Sequence, residues 1–246
     1  MRKILFGLLL ILLTASLLIA GCQETKKSDE ESSIKNDPGS SGKTFDEVNI
    51  VTEDGLNLKG RLYGFGKKGV VLSHMFPSDQ NSWNDFASEL TEKGYIVLTL
   101  DFRGYGDSDG EKNPAKIDLD EKAAIEFIKD QGVEELFLIG ASMGGTAALK
   151  TSSIAGVNGV VSLSAPRAFR GLSVEKEITT IKKPKLFIAA EGDEEAVKEA
   201  EWLFDSTQEP KELEIVGGSD HGSDLISGEE GKKVKRSITD FLESDA

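Results

Sequence analysis

Apolar residues along this chain follow two rhythms. Short unbroken runs such as Val70-Val71-Leu72 and Ile96-Val97-Leu98 suit strands covered on both faces, as in parallel sheets. Between them lie longer amphipathic stretches of helical length. Ahead of both, "TFDEVNIVTEDGLNLKGRLYGF" alternates apolar and polar residues around Asp54-Gly55, which predicts an antiparallel hairpin. Strands follow in "KGVVLSHMF", "YIVLTLDFRG", "ELFLIG", "GVNGVVSLSAP", "KPKLFIAAEGD" and "KELEIVGG". Helices are predicted from Trp83 to Lys93, ending at Gly94, and from near Pro114 to about Asp130, closed by Gly132. Others run over Met143–Ser153, Glu194–Asp205 and the tail to about Leu242. A hairpin feeding alternating β and α units gives an α/β fold, a doubly wound and mostly parallel sheet. In such sheets the chemistry gathers just past the carboxyl ends of the strands.

The first residues do not belong to that pattern. Met1-Arg2-Lys3 is a positive cluster, Ile4 to Ala20 is almost wholly apolar, and Ala20-Gly21 leads into Cys22, the layout of an export signal. The stretch is also near the shortest length for an uncleaved membrane-spanning helix. "LIAGC" resembles the bacterial lipoprotein signal, in which cleavage precedes a cysteine that then carries lipid. Cys22 is the chain's one cysteine, so no internal disulfide forms, and thioether lipidation accounts for a lone thiol in an exported protein. The expectation is a signal peptide over 1–21, a lipidated Cys22 and tether over 22–43, and one globular domain over 44–246. The protein would sit on the exported side of the cell membrane, held by its lipid. "QETKKSDEESSIKNDPGSSGK" holds one large apolar residue, Ile34, and reads as a flexible tether with a reach of roughly 25 Å.

Charge narrows the partners. A net charge of −14, from 43 acidic and 29 basic residues, argues against nucleic acid and leaves a small neutral substrate as the expectation. No His or Cys cluster is present to hold a metal, and no cofactor is implied.

The candidate chemistry does lie past strand ends. Gly140-Ala141-Ser142-Met143-Gly144 is a G-x-S-x-G turn between a predicted strand and helix, where Ser142 is either an N-cap or a nucleophile pushed out above the sheet. A serine nucleophile needs a base. The chain has two histidines, His221 after the last predicted strand and His74 at the end of an earlier one. Glu191 and Asp193 follow the strand before His221, and either carboxylate could orient its ring or simply open a helix.

Taken together, the elbow, "SHMFPSDQNSW" after the third strand, "LDFRGYGDSDG" after the fourth, and the order Ser, acid, His resemble the α/β-hydrolase superfamily. The likeness is to its small bacterial serine esterases and dienelactone-hydrolase-like members, and it runs from Thr44 to the end. It implies Ser142 as nucleophile, His221 as base, Asp193 as orienting acid, and the backbone N–H groups of Phe76 and Met143 as the oxyanion hole. Met75 stands where the family's usual pattern has glycine, so a backbone that needed positive φ there would be strained. His74 is expected to hydrogen-bond within its loop, and Asp101 and Arg103 to brace the loop beside it. The expected activity is ester hydrolysis through an acyl-enzyme, with peptidase, amidase or thioesterase chemistry, or a non-catalytic binding lipoprotein, as alternatives. "RAFRGLSVEKEITTIKK" is long enough for about one helix, so little or no lid is expected. Phe76, Trp83, Met75 and Met143 are candidates for an apolar acyl site, with Trp83 equally suited to the core.

Overall fold

A computed structural model describes residues 45–154 and 156–244. Cys22, the export signal and the tether lie outside them. β1 (Phe45–Val51) and β2 (Asn57–Tyr63) form the hairpin, with Phe45 opposite Tyr63 and Val51 opposite Asn57. β3 (Lys68–Ser73), α1 (Asn84–Glu92), β4 (Tyr95–Leu100), α2 (Ile117–Asp130), β5 (Glu135–Ala141), α3 (Met143–Thr151) and β6 (Gly159–Leu163) follow. A two-strand ribbon, β7 (Ala168–Phe169) and β8 (Leu172–Ser173), precedes β9 (Lys185–Ala190), α4 (Glu194–Ser206), β10 (Lys211–Val216) and α5 (Gly231–Glu243).

Eight strands form one sheet in the order β1-β2-β4-β3-β5-β6-β9-β10. β1, β2 and β4 pair antiparallel, and every pairing from β4 to β10 is parallel. Alternate residues of each central strand face opposite cores. Val71, Leu98 and Leu138 pack with α2, α3 and α4, while Val70, Leu72, Val97 and Ile139 pack with α1 and α5. Both faces of the sheet are therefore covered, which is why these strands read as unbroken apolar runs. Each fully buried Val, Leu or Ile contributes about 1.5–3 kcal/mol. Gly94 and Gly132 close α1 and α2 with φ of +89° and +81°, values that a Cβ would strain.

The insert after β6 is small, as expected of a fold with little or no lid. Among the described residues it holds no α-helix; it forms the β7–β8 ribbon and a single 3₁₀ turn at Ile178–Thr180. Arg170 and Gly171 both take positive φ, +45° and +94°, as a two-residue hairpin turn of the primed kind requires. Leu172, Val174, Ile178 and Ile181 are then buried, which flattens the segment onto the domain. No cap stands above the sheet here.

Candidate active site

Ser142 sits between β5 and α3 with φ 48° and ψ −115°, a conformation that residues bearing a Cβ rarely adopt. Its surroundings enforce that turn. A Cβ at Gly140 would come within 2.3 Å of the Gly144 carbonyl oxygen, and one at Gly144 within 2.3 Å of the Ser73 carbonyl oxygen. The two glycines of the motif thus let the strand, the helix and the loop after β3 close on one another. The Ser142 N–H donates to the Leu163 carbonyl at 2.7 Å. Its side chain makes no capping bond to α3. Oγ lies 2.9 Å from His221 Nε2 instead, which settles its orientation against the N-cap alternative.

His221 enters from the loop after β10, on the far side of β9 from the strand that leads to Ser142. Its Nδ1 is 2.5 Å from Asp193 Oδ2. A carboxylate oxygen accepts, so Nδ1 carries the proton and Nε2 is left to accept from the serine hydroxyl. Asp193 is also the N-cap of α4, its Oδ1 accepting the Ala196 N–H at 3.3 Å. Glu191, the other carboxylate in this loop, is exposed and tied by its backbone N–H to the Val216 carbonyl. Burial is graded across the three residues. Ser142 is 8% exposed, the Asp193 side chain 18% and the His221 side chain 47%, so the base faces open solvent.

The loop after β3 supplies the opposite wall. Met75 has no positive φ, so its Cβ is accommodated without the strain that a glycine-demanding conformation would impose. Its side chain packs on the histidine loop, where a Cβ at Gly222 would meet the Met75 sulfur at 2.7 Å. The N–H groups of Phe76 and Met143 make no hydrogen bond among the described residues. His74 is fully buried. Its Nδ1 donates to the Met75 carbonyl at 2.9 Å and its Nε2 accepts the Phe102 N–H at 3.1 Å, which fixes a neutral ring, and burial lowers its pKa further. His74 therefore braces this loop.

Asp101 braces the segment after β3 as well, while Arg103 ties the loop after β4 to α2 and the hairpin turn. Asp101 accepts from the Gln80 backbone and side-chain amides, both at 2.8 Å. Arg103 grips Asp120 through Nε and Nη2 and reaches Asp54 with Nη1 at 2.8 Å; that hydrogen bonding holds the Asp54 carboxyl well below its usual range. Beside them Glu121 is wholly buried and hydrogen-bonded to Ser73 Oγ at 2.6 Å, and burial pushes its pKa up to about 8. Two of the four acyl-site candidates belong to the core. Trp83 is fully buried against Phe86, and the Met143 side chain is buried with its sulfur 3.8 Å from the Tyr105 hydroxyl. Phe76 and Met75 remain half-buried at the site. Sequence reasoning missed Tyr105, Phe169 and Arg170, which cluster on Phe76; the signal for the last was an Arg-Gly pair between two short β-prone segments. Among the described residues no group of three or more His, Cys, Asp or Glu side chains is placed to hold a metal.

This eight-stranded sheet, with its serine turn after β5, has the α/β-hydrolase fold. Known proteins agree with that placement. Residues 66–169 match the family model described as serine aminopeptidase, S33. The chain is similar to an esterase of Pyrococcus furiosus, with a TM-score of 0.73 and 23% identity over 81% of this chain and 90% of that one. It is also 37% identical over 117 residues to a thiohydrolase of Aspergillus aculeatus, a match covering 44% of this chain and 37% of that enzyme. A 2-hydroxy-6-oxononadienedioate/2-hydroxy-6-oxononatrienedioate hydrolase of Klebsiella pneumoniae is 33% identical over 35% of this chain and 31% of its own length. The matched stretch thus spans well under half of either of these two curated relatives.

Proposed function

We propose that the protein is a serine hydrolase that cleaves carboxylic esters through Ser142, His221 and Asp193. The observation that carries this reading is the continuous chain of contacts from Asp193 Oδ2 through the His221 ring to Ser142 Oγ, ending on a serine held at φ 48°. Strain of that kind, roughly 1–3 kcal/mol, persists where surrounding structure over-determines it, and it clusters at active sites.

In the proposed reaction Ser142 Oγ attacks the ester carbonyl carbon while its proton moves to His221 Nε2. Asp193 stabilises the imidazolium that results. The N–H groups of Phe76 and Met143 hold the oxyanion, and loss of one such donor typically costs about 10²–10³ in kcat. The tetrahedral species collapses, the His221 proton leaves with the alcohol, and an acyl-Ser142 remains. Water then gives a proton to Nε2 and attacks the acyl carbon, and Ser142 departs by taking that proton back. Thioesters are the second candidate class, favoured by the likeness to a thiohydrolase; the same steps apply with the leaving group taking the His221 proton and departing as a thiol.

Reaction of the full-length chain with a fluorophosphonate probe tests the reading. Labelling is expected in the wild type and absent in Ser142→Ala and His221→Ala, and an unlabelled folded wild type would remove it. Paired esters, thioesters and aminoacyl amides then rank the substrate classes. We also propose that a lipid on Cys22 anchors the enzyme at the membrane. Palmitate incorporation in cells, expected in the wild type and lost in Cys22→Ala, checks it. Among the described residues no helix is long and apolar enough to cross a membrane.

A further inference from the structure

Beside the candidate active site, one arginine is unlike the others in the described chain. Arg103 is consumed by Asp120 and Asp54, Arg167 by Glu199, Arg61 by Asn81 and Asn84, and Arg236 faces Asp240. Arg170 is exposed, and among the described residues its guanidinium makes no hydrogen bond or ion pair. It lies over the Phe76 ring at 4.3 Å and the Phe169 ring at 5.2 Å.

Three facts make this more than a solvated side chain. Phe76 is the loop residue whose N–H is proposed to hold the oxyanion, and Arg170 stacks on its ring. Arg170 also occupies a positive-φ turn position, where Gly, Asn or Asp is the favoured residue and an arginine is strained. The non-glycine residues with positive φ in the described chain are Ser142, Ser164 and Arg170, and the first is the proposed nucleophile. Finally, a second cation stands close by. Lys112 Nζ sits 4.4 Å over the ring of Tyr105, which in turn meets Phe76 edge-on at 6.5 Å. Two cations thus flank one aromatic cluster in a protein whose net charge is −14.

We infer that Arg170 is a substrate-binding residue that selects esters bearing a carboxylate, with Lys112 strengthening the local field. This deepens the hydrolase reading and rests on it. Stacking occupies a face of the guanidinium and leaves its N–H edge open, and that edge matches a carboxylate in bidentate fashion. The overall charge suggested a neutral substrate, but Arg170 and Lys112 put positive charge on the aromatic cluster at Phe76, and it is the local field that a bound anion meets.

The test compares charged and neutral esters of equal size on the full-length chain. p-Nitrophenyl hemisuccinate is set against p-nitrophenyl butyrate for an acyl-side carboxylate, and p-acetoxybenzoate against p-tolyl acetate for an alcohol-side one. In at least one pair the wild type should prefer the charged ester. Arg170→Gln should then lose about ten- to hundred-fold in kcat/KM on that ester, chiefly through KM, as expected for a lost charge-assisted bond. The neutral partner should fall much less, Arg170→Lys should recover part of the loss, and Lys112→Gln should show a smaller one. Equal losses on both members of a pair would mean that Arg170 only stiffens the ribbon and would overturn the inference, as would absence of preference in both pairs. A binding arm needs no turnover. Monomethyl succinate titrated into Ser142→Ala and followed by NMR should shift signals of the ribbon and of the loop after β3, and should fail to do so once Arg170→Gln is added. Fluorophosphonate labelling without any such binding or preference sinks the carboxylate site and spares the hydrolase; absence of labelling sinks the hydrolase and leaves the binding arm to judge the site.

Discussion

The chain has two histidines, both on loops at the carboxyl edge of the same sheet, and their surroundings make them different chemical objects. His74 is sealed between Phe102 and Tyr105, at ring distances of 4.8 and 4.9 Å, and both its nitrogens are committed to backbone groups. His221 is half open to solvent, and both its nitrogens face side chains able to exchange a proton with it. A ring that must move protons needs partners that can give and take them and a path for substrate. A ring that holds a loop in place needs partners that cannot. The difference lies in the groups each ring touches rather than in the residue type.

Breaking each ring in turn should separate the two roles. His221→Ala is expected to lower kcat by on the order of 10⁴- to 10⁶-fold while leaving thermal stability nearly unchanged, because the side chain is half exposed. His74→Ala should instead cost roughly 2–4 kcal/mol, from a cavity and an orphaned Phe102 N–H, measured by urea denaturation. Comparable stability losses in the two variants would erase the distinction.

pH sharpens it. Burial lowers the His74 pKa below its ordinary 6.5, so the unfolded chain takes up a proton there that the folded chain refuses; stability should be full above pH 6.5 and fall as pH drops below it. Glu121 behaves in the opposite sense. Burial raises its pKa from 4.5 to about 8, so the folded state keeps a proton that the unfolded state releases. Its contribution is full below pH 4.5 and is lost as pH climbs towards 8, at no more than about 1.4 kcal/mol per pH unit. Urea midpoints across pH should show both limbs, and Glu121→Gln should flatten the alkaline one alone. The smallest change in stability is expected at the proposed nucleophile. Ser142→Gly relieves the positive φ and should stabilise the fold by about 1 kcal/mol while abolishing labelling by a fluorophosphonate.

Much of this was legible in the sequence because each level repeated the same message. Unbroken Val and Ile runs marked strands buried on two faces, Gly94 and Gly132 marked helix ends, and Ser142, Asp193 and His221 each followed a strand in turn. What stayed hidden depends on long-range contacts. Arg103 finds Asp54 across 49 residues, and Glu121 finds Ser73 across 48; separations of that length leave no periodic trace. Trp83 read equally as core or acyl wall because an aromatic at a helix start suits both, and only packing against Phe86 decides. The segment holding Phe169 and Arg170 is bounded in the sequence by length alone, as room for about one helix, and a two-residue turn with an arginine in it is a weak local signal.

Asp193 divides one carboxyl group between two tasks, with Oδ1 closing the start of α4 and Oδ2 turned to His221. Timekeeping offers a comparison, since a single escapement both holds the train still and meters its release. Here the same atom group sets where the helix begins and which way the imidazole points, so neither can drift without the other registering it. A shift of α4 would therefore move the imidazole's hydrogen-bond partner along with the helix start.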